Sequence, residues 1–73
     1  MRYVARVTVS CEDLGRRVSV RRRLPEGGYT DVVGVLETCD DDSFGVRDRS
    51  GSLRSVARTE VVAAKVVPPP PKR

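Results

Sequence analysis

From Arg16 to Leu24 apolar and polar residues alternate: Val18, Val20 and Leu24 fall on one side, Arg17, Ser19, Arg21 and Arg23 on the other. A period of two is the mark of a half-buried strand. Upstream, Tyr3, Ala5, Val7 and Val9 alternate with Arg2, Arg6 and Thr8, with Val4 blurring the pattern, and predict a first strand. Between them SCEDLG reads as one helical turn, with Ser10 as cap, Asp13 at the capping-box spacing and Gly15 able to take the left-handed conformation that ends it. Downstream, TDVVGVLE, FGVRD, LRSV and VVAAKVV are further extended runs, separated by Pro25-Glu26-Gly27-Gly28, by CDDDS, by RSGS and by ARTE, the last short enough for a single 3₁₀ turn.

The turns suggest pairings. Placing Leu24 opposite Thr30 sets Arg23 against Asp31 and Arg17 against Glu37 on the solvent face, with Val20 facing Gly34 and Val18 facing Leu36 inside. Charge and apolar pattern agree on that register. It points Arg22 inward beside Val32, where its stem can run out to the rim. Gly34 in mid-strand allows the bend or bulge that a curling sheet needs. A bulge at Gly51 would set Val46 opposite Val56 and Asp48 opposite Arg54. Five or six short antiparallel strands with one 3₁₀ turn predict an all-β fold, a small SH3-like barrel that closes to remove its edges. Residues 1–67 form that barrel in this reading, and residues 68–73 a proline-rich linker or tail.

Composition narrows the function. A chain of 73 residues buries only about 60% of its unfolded surface, too little for a deep catalytic cleft. It holds no histidine, which removes the usual general base and the Ser/His and Cys/His nucleophile pairs. It has neither a GxxxxGK[ST] phosphate cradle nor a GxGxxG after a strand. No cofactor and no catalytic residue is therefore expected. Asp40, Asp41 and Asp42 lack calcium-loop spacing and read as a solvated turn, so no metal is expected. Without histidine or CxxC, Cys11 and Cys39 do not form a zinc pattern. With no secretory signal and no apolar run of membrane length, the chain reads as cytoplasmic and its cysteines as reduced thiols.

The net charge of +4 raises nucleic acid as a partner. Of 14 basic residues, however, Lys72 and Arg73 belong to the tail, leaving 12 against 10 acidic, a net of only +2. That is a weak footprint for phosphate binding. The three aromatics, Tyr3, Tyr29 and Phe44, also make a poor stacking platform and cannot line a groove for proline-rich peptides. Two candidate surfaces follow. A protein contact would use Arg21 and Arg23 with Tyr29 at the adjacent turn; an RNA or DNA contact would use Arg17, Arg21, Arg23, Arg47 and Arg54.

The run GRRVSVRRRLP, then TDVVGVL, the VRDRSG hairpin and VVAAKVVPPPP resembles the N-terminal SH3-like domain of actinobacterial GNAT-type (histone acetyltransferase-like) N-acetyltransferases, over about residues 13 to 71. In such proteins the barrel precedes the domain that binds acetyl-coenzyme A and acetylates an amine. The resemblance implies an accessory module whose partner is an acetyltransferase domain, with the prolines as the linker toward it. It carries over no catalytic residue.

Overall fold

A computed structural model describes residues 6–68. It is all-β, with two single 3₁₀ turns and no α-helix among those residues. The strands are β1 (Arg6–Val7), β2 (Arg17–Arg23), β3 (Tyr29–Cys39), β4 (Ser43–Arg47), β5 (Leu53–Ala57) and β6 (Val61–Val66). They form one sheet in the order β1-β6-β2-β3-β4-β5. The five strands from β2 to β6 pair antiparallel. β1 departs from expectation by running parallel to β6, through Arg6–Ala63 and Val7–Ala64, and Thr8 extends that contact with its N–H and hydroxyl both donated to the Ala64 carbonyl. The alternation expected at Tyr3 and Ala5 lies outside the described residues. Val7 is exposed and Val9 buried.

The curl of the sheet has two local causes in β3. At Gly34, an added Cβ would land on the Arg47 carbonyl, so only glycine lets the end of β4 lie this close over the inner face. Further along, the β3–β4 register shifts between Leu36 and Thr38, a bulge that sharpens the bend. The curled sheet encloses Val9, Val18, Val20, Leu36, Phe44, Val46, Val56, Val61 and Ala64, with Val32 and Cys39 packed against them. Closure, which the sequence predicted, is not reached: among the described residues β5 pairs only with β4 and β1 only with β6. The bend in β3 covers the core without a ladder joining the ends.

The β2–β3 register corrects the expected one by two residues. Arg21 lies opposite Asp31, Arg23 opposite Tyr29, Val20 opposite Val32 and Val18 opposite Gly34. The turn explains the slip. Leu24 accepts from the Gly27 N–H and donates to the Gly28 carbonyl, so the apex sits at Pro25–Glu26, with Gly27 and Gly28 taking the positive φ angles of 102° and 85°. Proline's fixed φ suits the position after Leu24. The same bonding recurs from Asp48 to Ser52 around Gly51; it places Val56 opposite Phe44 and Arg54 opposite Val46, again two residues from the expected pairs. An even slip leaves every side chain on its expected face.

Before β2, Ser10 caps the 3₁₀ turn Cys11–Asp13 in a capping box with Asp13, and Gly15 follows at a φ of 87°. The second 3₁₀ turn is Arg58–Glu60. The cysteines overturn the reading of two reduced thiols: Cys11 and Cys39 form a disulfide, their Cα atoms 5.3 Å apart. Capping places Cys11 over the end of β3, and no spacing rule reveals that approach. The tail expected from residue 68 lies outside the described residues apart from Pro68.

Candidate functional site

Paired residues in adjacent strands share a face, so the registers define the outer surface. Arg17, Ser19, Arg21 and Arg23 of β2 stand beside Val35, Val33, Asp31 and Tyr29 of β3. Beyond Val35 the row continues through Arg47 of β4 to Leu53 of β5; on the other flank Ser19 and Arg21 neighbour Lys65 and Ala63 of β6. Five of the six candidate residues, Arg17, Arg21, Arg23, Tyr29 and Arg47, thus share one face. Arg54 does not join them: it pairs with the buried Val46 and takes that residue's face at the edge strand, where its side chain reaches solvent.

Carboxylates of the same molecule hold most of these guanidiniums. Arg21 donates two hydrogen bonds to Asp31, at 2.9 and 3.3 Å. Arg47 donates from Nε and Nη2 to Glu37 Oε1, at 3.2 and 2.8 Å, and from Nη1 to the Gly51 carbonyl. Arg54 donates to Asp48 at 2.9 Å. The expected partners of Asp31 and Glu37, Arg23 and Arg17, are displaced by the register. Arg17 instead donates to the Pro68 carbonyl. Arg22 does not simply run out to solvent: it is half-buried against Glu60 at 2.7 Å, its Nε without a hydrogen-bond partner.

These contacts set the proton affinities. The Arg21 hydrogen bond holds the Asp31 carboxyl below its ordinary value. Arg47 does the same for Glu37 and is itself raised by the pairing. Asp48 is lowered most, by the Ser50 hydroxyl and then the Arg54 guanidinium, with the Ser50 and Ser52 amides adding to both. Asp40 is lowered by the Asp42 and Ser43 amides. In each aspartate Oδ1 accepts from amides of its own turn, so the CDDDS run acts through Asp40 as a turn former.

Between the ion pairs the outer face is apolar. Val33, Val35 and Leu53 are 37%, 39% and 45% exposed, and Tyr29 at the hairpin end is 52% exposed. An open groove borders this face, lined by Thr8, Ser19, Arg21, Asp31, Ala63 and Lys65 among others. It offers hydroxyls and one ion pair, and the chain has no histidine to activate them.

Sequence reasoning missed Arg58, which it placed in a polar turn. Its guanidinium lies 4.4 Å over the Phe44 ring centroid, its Nε donates to the Asp40 carbonyl at 2.7 Å, and its Nη2 reaches Cys39 Sγ at 3.2 Å and Cys11 Sγ at 3.7 Å. No local pattern marks such a residue, because its contacts come from two stretches distant in sequence, residues 39–44 and the turn at Cys11.

Among the described residues no helix is long and apolar enough to cross a membrane. No curated protein and no solved structure matches the chain. A family model does, over residues 12–65, which run from the capped turn through β2, β3, β4 and β5 into β6. The small barrel-like sheet described above is thus the matched unit, and the chain belongs to the Rv0428c N-terminal Sm-like domain family.

Proposed function

We propose that this chain is a non-catalytic accessory module, the SH3-like N-terminal barrel of a GNAT-type acetyltransferase, which docks on the catalytic domain or recruits partners to it in the cytoplasm. The observation that carries this reading is the outer face, where Val33, Val35 and Leu53 are exposed between arginines already held by Asp31 and Glu37. Apolar positions flanked by fixed ion pairs suit contact with another protein surface. The family description supports it by placing the domain at the N-terminus of a protein. The likeness of GRRVSVRRRLP, TDVVGVL and VVAAKVVPPPP to acetyltransferase N-terminal domains supplies the enzyme class. A nucleic-acid contact through Arg17, Arg21, Arg23, Arg47 and Arg54 would have to break three internal ion pairs first.

The test is association in solution with the acetyltransferase domain that shares its reading frame, followed by calorimetry. Binding is expected, and V33D together with L53D is expected to abolish it while leaving the melting temperature nearly unchanged, because both side chains are exposed. The chain alone is expected to bind neither acetyl-coenzyme A nor mixed oligonucleotides at low ionic strength, where phosphate contacts are strongest. Failure to associate, combined with salt-sensitive oligonucleotide binding lost in R21A and R23A, would overturn the proposal in favour of a nucleic-acid module.

A further inference from the structure

We infer that the Cys11–Cys39 disulfide is a thiol–disulfide exchange site, with Cys11 as the sulfur attacked and Cys39 as the leaving thiolate, held by Arg58. Three observations point to it. Cys11 is exposed on a 3₁₀ turn, open to an incoming thiolate, whereas Cys39 is half-buried at the end of β3. One nitrogen of Arg58 reaches both sulfurs and lies nearer Cys39, at 3.2 Å against 3.7 Å. That guanidinium is held in place beforehand by the Phe44 ring and the Asp40 carbonyl, while its backbone N–H donates to the Asp42 carbonyl.

The chemistry follows from the geometry. A thiolate beside arginine is stabilised, and a thiol of lower pKa leaves faster in exchange. The thiolate of a low-molecular-weight dithiol attacks Cys11 Sγ; the bond to Cys39 breaks, and its electron pair stays on Cys39 Sγ as a thiolate facing Arg58. The second thiolate of the reductant then attacks the mixed disulfide, releasing Cys11, which takes a proton from water. Two electrons pass from the dithiol, which ends as its own disulfide. Acidic groups near the sulfurs, Glu12 and Asp13 on the Cys11 turn and Asp40, Asp41 and Asp42 beyond Cys39, oppose the thiolate. Asp13 and Asp40 are engaged by backbone amides. Arg58 supplies the positive charge that contacts the sulfurs.

The chain is first oxidised in air and its thiols counted by alkylation and mass; none is expected, and two free thiols would overturn the inference. Reduction by glutathione and by dithiothreitol is then timed in the wild-type chain, R58Q and R58K. R58Q is expected to slow it roughly threefold or more, and R58K to slow it less. A second readout isolates the electrostatics: in C11S the Cys39 thiolate, followed by absorbance, is expected to form at lower pH than in C11S with R58Q. Circular dichroism checks folding; if C11S does not fold, the glutathione rates decide. Equal rates in wild type and R58Q, or an ordinary Cys39 pKa in folded C11S, would refute the assignment.

Discussion

Gly34→Ala probes the curl on which the whole architecture depends. The new Cβ would lie 2.7 Å from the Arg47 carbonyl carbon and 3.0 Å from Asp48 Cα, and nearer still to the carbonyl oxygen. All three are main-chain atoms, so no rotamer change relieves the contact. The end of β4 would have to retreat, carrying Val46 away from Leu36, its buried ladder partner. Overpacking of this kind costs about 1–3 kcal/mol, and the loss of glycine's freedom in the unfolded chain returns about 0.4–1 kcal/mol. A main-chain obstacle belongs near the top of the first range, so the net loss is about 2 kcal/mol. For a domain of this size each kcal/mol moves the melting temperature by about 4–8 °C, giving a drop of about 8–16 °C.

Thermal and urea melts of oxidised protein measure it, with two internal comparisons. In Gly45→Ala the obstacle is the Thr38 hydroxyl, a side-chain atom, so Thr38→Ala in the same chain is expected to recover most of the loss. In Gly51→Ala space is open and only the φ of 91° is strained, costing about 1–2 kcal/mol. A Gly34→Ala chain that melts with the wild type, or above Gly51→Ala, would mean that β4 does not lie over Gly34.

Two further outcomes follow from the covalent and ionic contacts. Replacing both cysteines by serine opens a loop spanning a sequence separation of 28; the loop-entropy relation gives a loss of about 3.5 kcal/mol, read as a lower urea midpoint than the oxidised wild type and as a melt no longer sensitive to dithiothreitol. The carboxyls of Asp31, Glu37, Asp40 and Asp48 are all lowered in the folded chain, so their contribution is present above about pH 4 and is lost as pH falls through the folded values. Carboxyl NMR titration is expected to show Asp48 protonating last of the four. Melts in strong salt are expected to shrink the acid dependence, because the pairs are open to solvent.

The alternation of Val18 and Val20 with arginines revealed β2 and its buried face, and the glycines marked where chains turn. Of the residues predicted to face inward, Val18, Val20 and Leu36 have no exposure, whereas Leu24 is half-buried and Val7 exposed. Alternation fixes the face of a strand, not its phase, so a slip of two residues satisfied the same pattern. Phase was decided by Pro25, whose preference for the position after Leu24 moved the apex toward the start of the loop. The parallel β1 contact spans two residue pairs, too few to impose a pattern. The disulfide and Arg58 depend on tertiary approach alone, and among the described residues β5 pairs only with β4.

The register slip also bears on the charge argument for function. With either phase, Asp31 and Glu37 lie within reach of an arginine on the same face, so neutralisation of that face survives the error; what changes is which arginines are left over. The observed phase gives Asp31 to Arg21 and Glu37 to Arg47 and turns Arg17 toward the Pro68 carbonyl. Among the described residues no carboxylate lies within ion-pair distance of Arg23, which stands beside Tyr29 at the hairpin end. Positive charge without an ion-pair partner on that face is therefore carried by Arg23, next to an exposed aromatic ring, and by Arg17 and Lys65, while the middle of the face is valine and leucine. Phosphate tracking needs cations along a path. The exposed Val33, Val35 and Leu53 beside Arg23 and Tyr29 instead suit the protein contact proposed above, since arginine and tyrosine are enriched at such interfaces.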